Sequence, residues 1–228
     1  MHYEEKEIIN ITPEIGLDKS NTYAGGLGVL EGDKFYCMAK LGVKYNVFSL
    51  FYRNGYVSYE FDLNGNPQPM PQKPNKEFLD KLKLDDTFKI KIGEEEIEVK
   101  AWKYQIKNSK AVLFEAVSKE WEFLTDRVYI EDSTKERFYK YLFLGKVIKS
   151  YIERNIELKN VLYIDMQEAY TAFLPLLLKF ENYRFVIHTP GLWGHPKFPK
   201  NMFKKEMGFD FIDEEVTLTE IGGAVAKN

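Results

Sequence analysis

One cysteine, Cys37, occurs in 228 residues, so no disulfide can form within the chain. Histidines number three, and neither His188 nor His195 has a carboxylate or thiolate motif beside it, so no metal site is expected. Long apolar runs are missing as well: the densest, YTAFLPLLL from Tyr170 to Leu178, is far short of the roughly 20 residues that cross a bilayer and contains Pro175, so it reads as a buried helix. No basic start leading into an apolar run marks a signal peptide, which makes the cytosol the default compartment. Charge of neither sign dominates, with 32 Lys and Arg against 35 Asp and Glu and a net charge of -3. That balance favours neither nucleic acid nor an anionic membrane as a partner, and points to a small or neutral one. The chain that remains, 44% hydrophobic and 29% charged, has ample apolar material for a core.

Apolar β-branched runs at Glu7–Thr12 (EIINIT) and Val43–Tyr52 (VKYNVFSLFY) read as buried strands. Between them, Leu27, Leu30, Cys37, Met38 and Leu41 recur at a helical period, which predicts a helix with that stripe inward and Cys37 packed as an inert thiol. Strand, glycine loop, helix, strand is a βαβ unit, and an α/β fold follows. Asn66–Lys76 (NPQPMPQKPNK) is proline-rich and predicts an extended, exposed loop. Residues 86–117 alternate across a Gly93 turn as an antiparallel meander, which reads as part of an insert into the α/β pattern over about residues 56–117. Ser133 and Glu136 have capping-box spacing before a helix over Thr134–Tyr151 whose inner face is Phe138, Tyr141, Leu142, Gly145, Ile148 and Ile152. Strands at Val161–Ile164 and Arg184–Ile187 and helices at Glu168–Phe180 and Glu214–Lys227 restore the βαβ rhythm.

The loop TYAGGLGVLEGD, Thr22 to Asp33, concentrates glycine where the first helix begins. A helix start carries unpaired amides and about half a positive charge, and glycine lets an anion approach that backbone, so AGGLG can seat a phosphate. Gly26, Gly28 and Gly32 miss the dinucleotide spacing by one residue, and no Gly-Lys-Ser/Thr follows. On this grammar alone, a tight turn with close helix packing explains the glycines equally well.

A longer pattern separates the two readings. TYAGGLGVLEGD, continued by Ala39, Leu41-Gly42, Leu50, Tyr52-Arg53, Gly55-Tyr56 and Asp62, resembles the α-glucan phosphorylase family over about forty residues. PEIGL (Pro13–Leu17), Ala101-Trp102, LTDRVY (Leu124–Tyr129), QEAYTAF (Gln167–Phe173) and HTPGLWGHPKFP (His188–Pro199) are similar to further family segments in the same order. The resemblance implies the Rossmann-like N-terminal half of a GT-B glycosyltransferase, which moves glucosyl units between an α-1,4-glucan and phosphate or glucose 1-phosphate. It implies Gly25, Gly26, Leu27 and Gly28 as the phosphate and substrate loop, and His188, Asp132 and Tyr170 as sugar-side residues; Trp193 joins them as an aromatic face for a sugar ring, since its Gly-rich surroundings predict a loop. Pyridoxal phosphate is implied as cofactor, held by a lysine of a second, C-terminal half. That half is not in this sequence, so no catalytic set is complete here, and an isolated half is expected to expose an apolar face that favours a homodimer.

Two departures stand out. Tyr170 replaces the histidine of the family's N-E-G-H segment, and Lys140-Tyr141 stand where relatives often have Gln-Glu. A glycogen or starch synthase is the second reading, but its loop, K-T-G-G-L-G-D, has a lysine and an aspartate where this chain has Tyr23 and Val29. A glycan-binding domain without catalysis is the third.

Overall fold

The structure, a computed structural model, describes residues 6–226. Its centre is a seven-stranded sheet in the order β5-β6-β7-β2-β1-β8-β9, with β1 at Glu7–Ile11, β2 at Tyr45–Leu50, β5 at Lys83–Ile92, β6 at Glu95–Ile106, β7 at Ser109–Ala116, β8 at Val161–Gln167 and β9 at Tyr183–Val186. From β7 to β9 all neighbours run parallel; β5, β6 and β7 run antiparallel. Strands β1 and β2 are buried along their whole length, as expected of parallel strands covered on both faces. The predicted meander forms one edge of the main sheet. Its β7 pairs with β2, and β5 alternates in and out as an antiparallel edge does.

Period-two alternation sends successive side chains to opposite faces and builds two cores. On one face Ile9, Ile11, Phe48, Leu50, Val112 and Phe114 pack with Phe138, Leu142 and Ile148 of α3, Thr134–Asn155. On the other Ile8, Tyr45, Val47 and Leu113 pack with Phe35 of α1, Gly26–Lys40, and with Phe78 of the short α2, Lys76–Leu79. The start of α3 is fixed as its sequence predicts: Glu136 N–H donates to Ser133 Oγ at 3.1 Å, and Asp132 N–H donates to Glu136 Oε2 at 2.9 Å. All six residues of its predicted inner face are buried.

The stripe predicted for α1 is displaced. Its buried residues are Gly28, Glu31, Gly32, Phe35 and Ala39, whereas Leu30, Cys37 and Leu41 are exposed. The helix meets the sheet side through glycine: Gly16 N–H donates to Gly28 O at 2.7 Å, and a Cβ on Gly32 would overlap the carbonyl oxygen of Gly16. Backbone contact this close needs no side-chain stripe.

Smaller elements complete the chain. Strands β3 (Ser58–Phe61) and β4 (Pro67–Met70) form a separate hairpin, so the proline-rich stretch is extended and exposed but also paired. The helix predicted over Glu168–Phe180 is a 3-10 turn, Ala169–Phe173, running into a single α turn, α4 at Leu174–Leu177, because Pro175 occupies its first turn. Strands β10 (Lys197–Pro199) and β11 (Glu215–Thr217) pair around α5, Lys200–Met207, and α6 covers Leu218–Val225, later than predicted since Glu215–Thr217 is a strand. The predicted last residue of that helix, Lys227, lies outside the described residues.

Asp165, on β8 beside Asn10 of β1 and Arg184 of β9, is a buried acid of the sheet. Burial raises its pKa above the ordinary 3.8, against the opposing pull of Arg184, 3.0 Å away, and Lys34. A raised folded value means that the folded chain holds this proton more tightly than the unfolded one. The contribution to stability is full below 3.8 and is lost as pH rises through the folded value. Asp165→Asn should flatten that limb, measured as urea midpoints across a pH series from 3 upward, with the two proteins converging at the acid end.

Candidate active site

The carboxyl ends of β1 and β8, the start of α1, the first turns of α3 and the segment after β9 enclose a cleft of about 650 Å³. Ligands of open α/β sheets bind at this end, outside the strand carboxyl termini. The α1 rim is Gly26, Leu27 and Leu30, and the far wall is His188, Thr189, Trp193 and Gly194. Glu14, Tyr129, Arg137, Glu168 and Tyr170 form the floor and sides.

The loop begins with an internal cap. Glu14 Oε2 accepts the N–H of Ala24 and, at 3.1 Å, that of Gly25, while Oε1 accepts Tyr129 Oη–H at 3.1 Å. The Gly25 amide is thus committed to Glu14, a buried carboxylate of the preceding segment that itself lines the cleft. The N–H groups of Gly26, Leu27 and Gly28 have no acceptor among the described residues, and α1 has no side-chain cap. A Cβ on Gly25 or Gly26 would meet nothing within 4 Å. The glycines therefore divide by role: Gly28 and Gly32 allow close packing, and Gly26 leaves open ground over an unsatisfied helix start.

Arg137 is the cation of this lining. Buried Glu131 holds it, with Oε2 at 3.2 Å from Arg137 Nε and Oε1 at 2.8 Å from Nζ of the fully buried Lys140. Lys140 also donates to Arg127 O, and burial lowers its pKa against the pull of Glu131. The ion pair thus fixes α3 to the 127–131 segment and sets where Arg137 can reach.

Glu168 is the most unusual residue of the cleft. It follows β8 directly at φ 68°, ψ 159°, a region that side chains avoid at a cost of about 1–3 kcal/mol. Tyr129 at φ 54° is the other lining residue among the four described non-glycines with positive φ. Glu168 Oε1 accepts His188 N–H at 2.9 Å and Thr189 Oγ–H at 3.0 Å, tying the two walls together. Its Oε2 is buried with no partner. Such an oxygen is costly unless something donates to it, and the cleft is where a donor would arrive.

Aromatic rings form the remainder. Tyr170 stacks on Tyr141 at 4.0 Å and lies 5.9 Å from Tyr129. The two departures from the family pattern, Tyr170 and Tyr141, are therefore partners, each filling space beside the other. Burial pushes the phenols of Tyr129 and Tyr170 up, helped at Tyr129 by the Glu14 carboxylate, so both stay neutral. Trp193 is 79% exposed on the rim.

Of the residues implied by sequence, Gly26, Leu27, His188, Tyr170 and Trp193 line this one cleft. Gly25 and Gly28 are not among the lining residues: Gly28 is buried, and the Gly25 carbonyl accepts Val29 N–H at 3.3 Å. Asp132 lies outside, its N–H used in the α3 cap, whereas Glu131 beside it is the acid tied to Arg137. Arg137, Glu168, Tyr129 and Thr189 went unmarked as site residues. The Glu168 signal was its place immediately after a β-strand at the sheet's carboxyl edge. Among the described residues no group of three His, Cys, Asp or Glu could hold a metal ion, and no helix is long and apolar enough to cross a membrane.

The fold is that of a Rossmann-like half of a GT-B glycosyltransferase. The catalytic domain of starch synthase IV from Arabidopsis thaliana, bound to ADP and acarbose, superposes with a TM-score of 0.68 over 96% of this chain and 43% of that one, at 12% identity. In sequence, the chain is similar to maltodextrin phosphorylase of Thermococcus litoralis, with 31% identity over 110 residues, across 39% of this chain and 13% of that protein. The match spans less than half the length of either relative. No family model matches the chain.

Proposed function

We propose that the chain is the N-terminal half of an α-glucan phosphorylase-type glucosyltransferase, acting between the end of an α-1,4-glucan and inorganic phosphate or glucose 1-phosphate. The observation that carries this reading is the uncapped start of α1, where Gly26 and Leu27 line a cleft that also holds Arg137 and the unpartnered Glu168 oxygen. Glucosyl transfer to phosphate develops positive charge at the sugar and brings in a phosphate dianion. Fixed dipoles and one guanidinium meet those needs better than a side-chain nucleophile would. Glu168 Oε2 supplies a hydroxyl acceptor, and the aromatic walls supply apolar faces for a hexose ring.

The donor set suits a phosphate, and pyridoxal phosphate is the cofactor proposed for the whole enzyme. The described lining contains no lysine, so its covalent attachment falls to a second half, in the same or a separate chain. When bound, the cofactor supplies a phosphate group as acid-base partner to the substrate phosphate. The residues of this chain hold the glucosyl unit and donate amides to the anion beside it. A starch synthase reading shares the fold, and Arg137 offers it a cation, but Tyr23 and Val29 leave its loop without the usual lysine and aspartate.

Amide NMR tests the proposal. Glucose 1-phosphate should shift the signals of Gly26, Leu27 and Gly28 while leaving Gly25, already bonded to Glu14, nearly still. Gly26→Leu should fold as the parent does, since its side chain enters open space, and lose the response. Shifts with ADP-glucose but not with glucose 1-phosphate would transfer the assignment to a synthase, and silence from both would remove the glucosyltransferase reading.

A further inference from the structure

Lys140 is the one lysine buried among the described residues, and nothing in the proposed transfer uses it. Its Nζ is held by three groups: the Glu131 carboxylate at 2.8 Å, the Arg127 carbonyl, and the face of the Tyr52 ring, whose centroid is 5.4 Å away. Burying a lysine is expensive, and an apolar side chain of similar volume is often neutral or stabilising in such a place. Apolar packing could hold α3 to the 127–131 segment as well, so the charge itself calls for a reason.

The charges of the cleft supply one. Arg137 is the only lysine or arginine among the lining residues, and it shares the lining with two carboxylates, Glu14 and Glu168. Behind it stands a third, Glu131, whose side chain is 4% exposed and whose Oε2 lies 3.2 Å from Arg137 Nε. Alone with Arg137, that carboxylate would cancel the guanidinium, and a lining with two further acids would repel a phosphate. Lys140 prevents the cancellation by pairing with the other oxygen, Oε1. One carboxylate is divided between two cations, and the set keeps a net positive charge that only Arg137 carries to the cleft. Nε is spent on Glu131, which leaves the two terminal nitrogens of the guanidinium for a ligand.

We infer that Lys140 is a positioning residue for an anion: acting through Glu131, it keeps the charge of Arg137 available, so that the cleft selects a phosphate-bearing ligand over a neutral sugar. The inference rests on the phosphate role proposed above. Lys140 is not among the lining residues, so its effect reaches the ligand without contact.

A charge cycle in the 228-residue chain tests this, at about pH 6.5 and low ionic strength. Inorganic phosphate is titrated against the Arg137 Nε–H NMR signal, and maltoheptaose, which is neutral, against the indole signal of Trp193. Lys140→Met should weaken phosphate about tenfold and leave maltoheptaose unchanged to within about twofold. Adding Glu131→Gln removes the matching negative charge while its amide oxygen still accepts from Arg137 Nε, so phosphate affinity should return to within about threefold of the parent. A packing role alone would weaken both ligands in Lys140→Met and weaken them further in the double variant. Where Lys140→Met does not fold, Lys140→Gln, which keeps a donor for the Arg127 carbonyl, carries the same expectations. The inference is overturned if phosphate leaves the parent's Arg137 signal unmoved up to about 50 mM, if the Lys140 variant binds it as the parent does, if maltoheptaose weakens in parallel, or if the double variant shows no recovery. A phosphate cycle that behaves as expected, with no response to maltoheptaose and glucose 1-phosphate bound no better than phosphate, would remove the glucosyltransferase reading and leave Lys140 in its role.

Discussion

Gly32→Ala is expected to lower stability by about 3 kcal/mol, the upper range for forcing a methyl into a closed contact. The new Cβ would overlap the Gly16 carbonyl oxygen and sit 3.0 Å from its carbonyl carbon, and both are backbone atoms. Neither can swing aside, because the Gly16 amide is itself bonded to Gly28 O. The helix would have to lift, opening the buried Glu31 and Phe35 beneath it. In a chain this long the change corresponds to a fall of roughly 6–12 °C in Tm. Gly223→Ala is the matched control, since its Cβ meets nothing within 4 Å in α6. Helix propensity should raise stability there by about 0.5–1 kcal/mol. Thermal scans of the two variants should therefore move in opposite directions, and equal shifts would show that α1 does not rest on Gly16 as described.

Glu168 variants should separate strain from function. Glu168→Ala keeps the unfavourable φ of 68° and loses both the His188 and Thr189 bonds, so a loss of about 3 kcal/mol is expected. Glu168→Gly loses the same bonds but relieves the backbone, recovering about 1–2 kcal/mol relative to alanine. Neither restores the carboxylate, so both should bind maltooligosaccharide in the cleft about 30-fold more weakly or worse. Paired urea titrations and Trp193 binding curves check this. If glycine bound as tightly as the parent chain, the strained residue would serve folding alone.

The elements that could be read from sequence were those whose signal lies in side chains. The α3 cap was visible as Ser133 and Glu136, and the strands as β-branched runs, because each depends on residue types at fixed spacing. The α1 stripe was misplaced because its packing is made by atoms every residue has. Counting apolar side chains pointed to Leu30, Cys37 and Leu41, while the contact belongs to Gly16, Gly28 and Gly32. The cleft was legible in part through the loop and the HTPGLWGHPKFP segment. Arg137 escaped notice because its role depends on Glu131 and Lys140, which hold it from the 131 segment and from one turn further along the same helix. Long-range ties of this kind leave no local pattern. The same holds for Glu14, whose carboxylate crosses ten residues to reach Ala24.

The β3–β4 hairpin, exposed along both strands, returns to its starting point. Gln72 N–H donates to Asn54 O at 2.9 Å, and Asn21 Nδ2 donates to Gln72 O at 2.9 Å. From Ser58 to Met70 the chain is an appendage whose root is already clasped, so changing its length adds little closure entropy. Lineages are free to lengthen, shorten or rewrite that stretch, and an engineer can graft a tag or a binding loop onto it, while the clasp at its root holds the rest of the molecule in register.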